Sequence, residues 1–187
     1  MTSYRYDVEG IRIASIEDAR DFLVYNNVNA VDPDGLTPLL HSIINGNLEL
    51  VKFLIGKGAC VDYQDRAGWT PLLFSIRCNH VHIAMYLIRE ISVDVNVADN
   101  SGRTPLMCAI TGYHTNIAKL LIYRGADIYM LDNDGENALS LSTKAVMSNT
   151  RKGDKRVRRT AHQDCDCEKC KSHSIITNLL LQRGGNH

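Results

Sequence analysis

One short phrase recurs along this chain at a nearly constant interval. It reads Gly-x-Thr-Pro-Leu followed by an apolar residue, and its three clear copies are Gly35–Leu40, Gly68–Leu73 and Gly102–Met107. A fourth copy, Gly135–Leu139, keeps the glycine and the leucine but has Asn-Ala in place of Thr-Pro. Successive glycines are 33, 34 and 33 residues apart, and an aspartate precedes each glycine by three residues: Asp32, Asp65, Asp99 and Asp132. A fixed period of this length is typical of a stack of repeated structural units.

Each copy of the phrase predicts a turn followed by the start of a helix. Glycine supplies the backbone freedom of a tight turn, and threonine is a favourable N-cap. Proline suits the first helical position because its missing N–H would be unpaired there anyway. After a polar break such as Asn45-Gly46, a second apolar stretch runs from Leu48 to Ile55 with helical spacing. Gly58 and Gly125 then occupy the usual helix-ending position, so one repeat is predicted to be a turn and two helices.

The second repeat is one residue longer than the others and lacks the glycine that ends the helix. Its tail runs from Arg89 to Asn96, which accounts for the single spacing of 34 residues. We expect the extra residue to lie in a loop. Upstream of the first phrase, Ser15–Asp18 has the pattern of a capped helix start, which predicts a partial first repeat.

This pattern resembles the ankyrin repeat, whose consensus combines an aspartate, a Gly-x-Thr-Pro-Leu phrase, a Gly-His break and a Gly-Ala-Asp-Val-Asn tail. The resemblance implies an all-α solenoid of helix-turn-helix units with β-hairpin tips. The predicted units are an N-terminal partial repeat at 1–31, repeats at 32–64, 65–98 and 99–131, and an interrupted repeat at 132–187. The family's histidine after Thr-Pro-Leu is replaced by Leu40, Leu73, Met107 and Ser140. We therefore expect the hydrogen bonds that this histidine usually makes to the hairpins to be absent.

The last repeat contains an insertion between its two helices. Its second helix resembles the segment from Ile117 to Gly125 and ends at Gly184. Gly184 lies 59 residues after Gly125 where the period predicts 33, so about 26 residues are inserted, roughly at 147–172. Closing a loop of this length costs about 3 kcal/mol, which the repeat can tolerate.

The insertion opens with six basic residues among the nine positions from Arg151 to Arg159. Such a run is typical of a solvated surface loop, but it is also compatible with a nuclear-import signal or a patch that contacts phosphate groups. Aromatic residues for base stacking are not interleaved with it, which argues against a dedicated RNA surface.

A cluster of cysteine and histidine follows the basic run. Four tetrahedral Cys or His ligands are what structural zinc requires, and the cluster offers five potential ligands: His162, Cys165, Cys167, Cys170 and His173. The three cysteines with one of the histidines predict a possible structural zinc site. A redox or disulfide role and unliganded thiols are the alternatives. A catalytic zinc is less favoured because neither a general base nor a pocket can be recognised around the cluster.

The ankyrin resemblance also implies which residues would contact a partner protein. The family's variable contact positions fall on Arg66, Trp69 and Arg103 at the hairpins, and on Ile44, Asn45, Arg77 and Thr111 in the first helices. Trp69 is the only tryptophan, and Trp and Arg are enriched at binding hot spots. The alternative for Trp69 is packing against a neighbouring hairpin. His80 and His114 fall at the family's Gly-His position, so we interpret them as structural residues.

Composition and motifs favour a binding protein over an enzyme. The formal net charge is zero, so no bulk attraction to nucleic acid or anionic membranes is expected. Neither a nucleophile motif nor a glycine-rich phosphate loop is present, and no apolar run approaches the ~20 residues that span a bilayer. We expect a cytoplasmic or nuclear protein whose cysteines at 60, 78 and 108 are reduced thiols.

The predicted function is a protein-protein interaction module, acting as an adaptor, inhibitor or regulatory subunit through the concave ankyrin groove. Its partner could belong to a kinase or transcription-factor complex, whereas a membrane is not expected and nucleic acid is disfavoured. The alternative is a zinc-stabilised regulatory or nucleic-acid-contacting module in which the basic Cys/His insertion is the functional element.

Overall fold

The structure, a computed structural model, describes residues 13–150 and 168–184, without the side chains of 145–150 and 168–173. The chain divides into two compact units, Met1–Asp94 and Val95–His187. No helix within these described ranges is long and apolar enough to cross a membrane. The predicted all-α class is confirmed.

The first unit contains five α-helices and one π-helical segment among its described residues. They are α1 (Ile16–Tyr25), α2 (Pro38–Ile44), α3 (Leu48–Gly56), α4 (Pro71–Arg77), α5 (Val81–Tyr86) and the π segment Leu87–Ile91. Helix α2 packs against α3 and α4, α4 packs against α5, and α3 also contacts α1 and α5. The core between them is aliphatic, with fully buried side chains that include Leu39, Ile43, Leu54, Leu72 and Ile76.

The second unit is built from two helix pairs: α6 (Pro105–Thr111), α7 (Thr115–Tyr123), α8 (Ala138–Thr150) and α9 (Glu168–Gly184). Helix α6 packs against α7 and α8, and α9 packs against α7 and α8. Ile176 and Leu180 of α9 are buried, so this helix contributes apolar side chains to the core of the second unit. Helix α8 ends, and helix α9 begins, within the predicted insertion at 147–172. Residues 151–167 separate the two helices and lie outside the described residues.

The Thr-Pro phrases begin helices as predicted. The hydroxyl oxygens of Thr37, Thr70 and Thr104 accept the N–H groups at the third helical positions at 3.2 to 3.3 Å. The fourth copy of the phrase, which has Asn in place of Thr, is capped in the same way. Its Asn137 side-chain oxygen accepts the Ser140 N–H at 2.9 Å. Each cap satisfies an N–H that a helix start would otherwise leave unpaired.

The hairpin tips form tight turns, and the described residues contain no β-strand. In the first repeat the Asp32 N–H donates to the Leu36 carbonyl at 3.0 Å, which is one half of a strand bridge. The Leu36 N–H does not return the bond to the Asp32 backbone, because it donates to the Asp32 carboxylate at 2.8 Å. The aspartates of the other three tips make the same bonds. The expected β-hairpins are therefore turns closed by a side chain.

The extra residue of the second repeat lies in a helix, so the prediction of a loop was wrong. Helix α5 continues directly into the π segment, whose wider turn takes up one additional residue. Leu87 and Ile88 within it are buried, so ending the helix earlier would have exposed apolar surface. Ser92 closes the segment in the left-handed region at φ 58, where the other repeats have Gly58 and Gly125.

A histidine does contact the first hairpin, which corrects the expectation that such bonds are absent. His41 stands one residue after the family's position, and its Nε2 lies 2.7 Å from Oδ2 of the buried Asp32. Burial raises the pKa of Asp32. Hydrogen bonds from the Leu36 N–H and the His41 ring, together with the charge of His41, lower this pKa by more. The pKa of Asp32 therefore lies below its ordinary value.

We expect Asp32→Ala to lower the free energy of unfolding by about 2 kcal/mol, because two backbone N–H groups and His41 lose a buried partner. Asp32→Asn should cost about half as much, since its amide oxygen can still accept the backbone bonds. Asp34→Ala, a control at an exposed neighbour, should stay within about 0.5 kcal/mol. Urea unfolding measures all three, and equal losses for Asp32→Ala and Asp34→Ala would contradict this account.

The same carboxylate predicts a dependence of stability on acid pH. Because the folded-state pKa of Asp32 lies below the ordinary value of 3.8, its contribution is fully present above about pH 4. The contribution is lost as pH falls through the lowered folded-state pKa. The difference in unfolding free energy between the wild type and Asp32→Asn should therefore narrow as pH drops from 4 towards 2. A difference that stays constant over this range would show that the charge of Asp32 is irrelevant.

Candidate protein-binding surface

The predicted contact residues fall on both units, and each unit presents its own set. The first unit carries Ile44, Asn45, Arg66, Trp69 and Arg77, and the second carries Arg103 and Thr111. Asn45, Arg66, Arg77 and Thr111 are exposed, and the other three are half-buried. We call the hairpin tips and first helices that bear these residues the tip surface.

Trp69 forms the centre of an aromatic and cationic cluster on the first unit. Its ring meets the ring of Phe74 edge-on, with centroids 5.2 Å apart and planes inclined at 63°. The guanidinium carbon of Arg77 lies 4.3 Å from the Trp69 ring centroid. Phe74 and Arg77 are three residues apart on α4 and therefore share one helix face. The Trp69 ring therefore packs on the first helix of its own repeat.

The backbone around Trp69 is held by the aspartate of its turn. The Trp69 N–H donates to Oδ1 of Asp65 at 2.7 Å, and the Trp69 carbonyl accepts the Asp65 N–H at 3.1 Å. With its backbone fixed and its ring packed between two side chains, Trp69 loses little further freedom when a partner covers it. Such preorganisation reduces the entropic cost of binding.

Arg66 links the second hairpin to the first. A Cβ added to Gly35 would lie 3.2 Å from Cγ of Arg66, so the Arg66 stem covers this turn closely. Gly35 adopts φ +87, a conformation that favours glycine. The Tyr63 hydroxyl donates to the Gly35 carbonyl at 2.9 Å. Arg66 thus has a packing role in addition to the contact role that the sequence predicts.

Ile44 and Asn45 end the first helix of the first repeat. The Ile44 carbonyl accepts a hydrogen bond from Nε2 of His80 at 3.0 Å, across 36 residues. This bond supports the structural interpretation of His80. Asn45 is the exposed C-cap of α2.

The two predicted residues of the second unit differ in what they can offer a partner. The Arg103 N–H donates to Oδ1 of Asp99 at 2.9 Å, so its turn repeats the geometry at Trp69. The Thr111 hydroxyl donates to carbonyls of its own helix, Met107 at 3.0 Å and Cys108 at 3.2 Å. Thr111 therefore offers a partner mainly its methyl group.

Phe74 belongs to the Trp69 cluster and is absent from the contact residues that the sequence predicts. Its spacing of three residues from Arg77 and its position after Trp69 were the available signals. Apolar residues on a first helix are usually core residues, and only the side-chain geometry shows that Phe74 faces Trp69.

The structure describes the backbone of two of the five predicted zinc ligands. His162, Cys165 and Cys167 lie outside the described residues, while Cys170 and His173 belong to α9. Three residues apart on a helix, these two positions lie on the same face. Among the side chains that the structure describes, no cluster of His, Cys, Asp and Glu that could hold a metal is found. The zinc site stays a prediction.

Comparison with known proteins agrees with the repeat pattern and the helix pairs. The family description "Ankyrin repeats (3 copies)" matches residues 12–99 and 91–150. This chain belongs to the ankyrin-repeat family.

Its relatives include the human Notch-regulated ankyrin repeat-containing protein, which is 45% identical over 64 residues, or 34% of this chain and 56% of that protein. Form A of the same protein from Danio rerio is 45% identical over 64 residues and is matched over 57% of its length. Human protein phosphatase 1 regulatory subunit 27 is 36% identical over 83 residues, or 43% of this chain and 54% of that protein. The matches thus span little more than half of each relative. Together, family and relatives support a role in protein interaction and regulation.

The zinc prediction can be tested by elemental analysis of protein purified without a tag. We expect about one zinc per chain in the wild type and little in Cys165→Ser/Cys167→Ser, because thiolates supply most of the binding. Chelation should loosen the last repeat while residues 32–131 stay folded, since the stability of a stack is a sum of repeat and interface terms and only the interface with the last repeat is weakened. Equal zinc content in the two proteins, or less than about half an equivalent in the wild type, would refute the site.

Proposed function

We propose that this chain is a non-catalytic regulatory module that binds a partner protein through the tip surface, with Trp69 and Arg77 as anchors. The observation that carries the proposal is the stacking of Arg77 on Trp69 at 4.3 Å, at a position where Arg77 is exposed and Trp69 half-exposed. A guanidinium that stacks through its face keeps its N–H donors at the edge. The pair can therefore offer apolar area and charged hydrogen bonds to the same partner residue.

The chemistry of this cluster favours a partner that presents a carboxylate beside an apolar or aromatic side chain. Arg pairs with carboxylates in a bidentate geometry, which adds geometric specificity as well as energy. Aromatic residues and Arg are also the side chains that most often dominate interface energetics.

The names of the relatives guide the choice of a first partner to test. One relative is a regulatory subunit of protein phosphatase 1, so we propose protein phosphatase 1 as the first candidate, ahead of the kinase and transcription-factor complexes considered from the sequence. The cytoplasm or nucleus is the proposed site of action.

We expect Trp69→Ala and Arg77→Ala each to weaken partner binding by about 2 kcal/mol, roughly thirtyfold, because each removes half of the stacked pair. Arg103→Glu should weaken binding less, since Arg103 is half-buried and lies on the other unit. Lys119→Ala, on the exposed side of a second helix, serves as the control and should leave affinity unchanged.

The measurement is affinity purification from native cells with each variant as bait, followed by quantitative mass spectrometry and binding assays with purified protein phosphatase 1. Circular dichroism and urea unfolding establish that each bait is folded. If folded Trp69→Ala and Arg77→Ala retain every partner at wild-type affinity, the tip surface is not the binding site.

A further inference from the structure

A groove on the first unit lies between α1 and α3, away from the hairpin tips and first helices. Its apolar walls come from Leu23, Val24, Val28 and Phe53, and its cationic rim from Arg20 and Lys57. The volume is about 450 Å³, and among the described residues that line it there is no carboxylate. A concavity of this size can take a few side chains of a ligand.

Phe53 of α3 is contacted by two cations of this groove, Arg20 of α1 and Lys57, the C-cap residue of α3. The guanidinium carbon of Arg20 is 5.8 Å from the Phe53 ring centroid, and Nζ of Lys57 is 5.6 Å from the same centroid. Both contacts are in the range of weak cation-π attraction, which orients the charged groups without neutralising them. Two positive charges are thus gathered over one half-buried apolar ring.

The two cations have no acidic partner in the part of the chain that the structure describes. The ion pairs found there involve other residues, and neither Arg20 nor Lys57 takes part in one. Lys52 on the same helix behaves differently, because its Nζ lies 3.0 Å from a carboxylate oxygen of Glu49. Arg20 and Lys57 therefore keep their charges available for a ligand.

Two apolar side chains at the groove, one in its wall and one next to it in sequence, are largely exposed to solvent. Val24 is 67% exposed and Tyr25 84% exposed at the end of α1, whose buried face is formed by Ala19 and Phe22. An exposed apolar rim joined to a cationic groove is chemically complementary to a segment that is both apolar and acidic.

We propose that this groove, which we call the Phe53 groove, binds a protein segment in which apolar side chains are flanked by carboxylates. An aliphatic side chain of the segment packs on Phe53, Leu23 and Val28. Its acidic neighbours pair with Arg20 and Lys57. This surface is separate from the tip surface, so one chain can hold two different segments.

The test uses NMR titration of the full ¹⁵N-labelled chain with the blocked hexapeptide Glu-Glu-Leu-Leu-Glu-Glu. A matched peptide replaces each glutamate with glutamine. We expect saturable shifts at the amides of Leu23, Val28 and Phe53 with the acidic peptide, and binding at least about tenfold weaker with the neutral one.

Three charge-reversal variants complete the design. Arg20→Glu and Lys57→Glu should each weaken binding of the acidic peptide about tenfold or more, whereas Lys52→Glu should change it less than about twofold. Arg20→Gln and Lys57→Gln keep the test valid if a reversal disturbs folding. Trp69→Ala should bind the peptide like the wild type, which separates this surface from the proposed function.

Several outcomes would overturn the proposal. They are the absence of shifts at millimolar peptide, equal binding of the two peptides, or an equal loss in Lys52→Glu. Binding of phosphatidylserine vesicles without peptide binding would also overturn it and would identify a membrane as the ligand. Self-association in ultracentrifugation that Arg20→Glu abolishes, again without peptide binding, would instead show that a second copy occupies the groove.

Discussion

The interaction on which this structure depends is the bond between an aspartate carboxylate and the backbone of its own turn. In each of the four turns, Oδ1 accepts the N–H groups two and four residues later. The second of these donors is the residue immediately before the helix N-cap. A single carboxylate therefore fixes where the turn ends, where the helix starts and where the variable residue between them stands. At two of the turns that variable residue is Trp69 or Arg103, which belong to the tip surface.

Neighbouring repeats are joined by a second recurring bond. In the first unit, the Asn29 side-chain oxygen accepts the Cys60 N–H at 2.7 Å, and its amide nitrogen donates to the Gly58 carbonyl at 3.3 Å. Asn96 makes the equivalent pair of bonds with the next tail in the second unit. Because these bonds connect one repeat to the next, the order of a turn depends on the repeat beside it. We therefore expect a substitution that disrupts one turn to lower the stability of the adjacent repeat most.

The sequence predicts those features whose cause is local. Thr-Pro with a preceding glycine specifies its own cap and turn, so the sequence alone predicts these helix starts correctly. The π segment was missed because one extra residue can enter either a loop or a helix. The burial of Leu87 and Ile88 decides between them, and burial is a tertiary property. His41 was missed because a displacement of one residue still allows its ring to reach Asp32. The Phe53 groove could not be predicted, because residue spacing along the chain does not specify how the side chains of α1 and α3 meet.

All four turns, including those of the tip surface, are ordered in the unbound chain because their own carboxylates close them. Amide hydrogen exchange of the unbound chain, resolved by NMR, tests this most directly at Leu36, Trp69, Arg103 and Glu136. These N–H groups donate to aspartate Oδ1 at 2.7 to 2.9 Å. The account predicts exchange at least about 100-fold slower than in an unstructured peptide at all four amides. Exchange at the rate of an unstructured peptide would show that the turns form only on binding, and would contradict it.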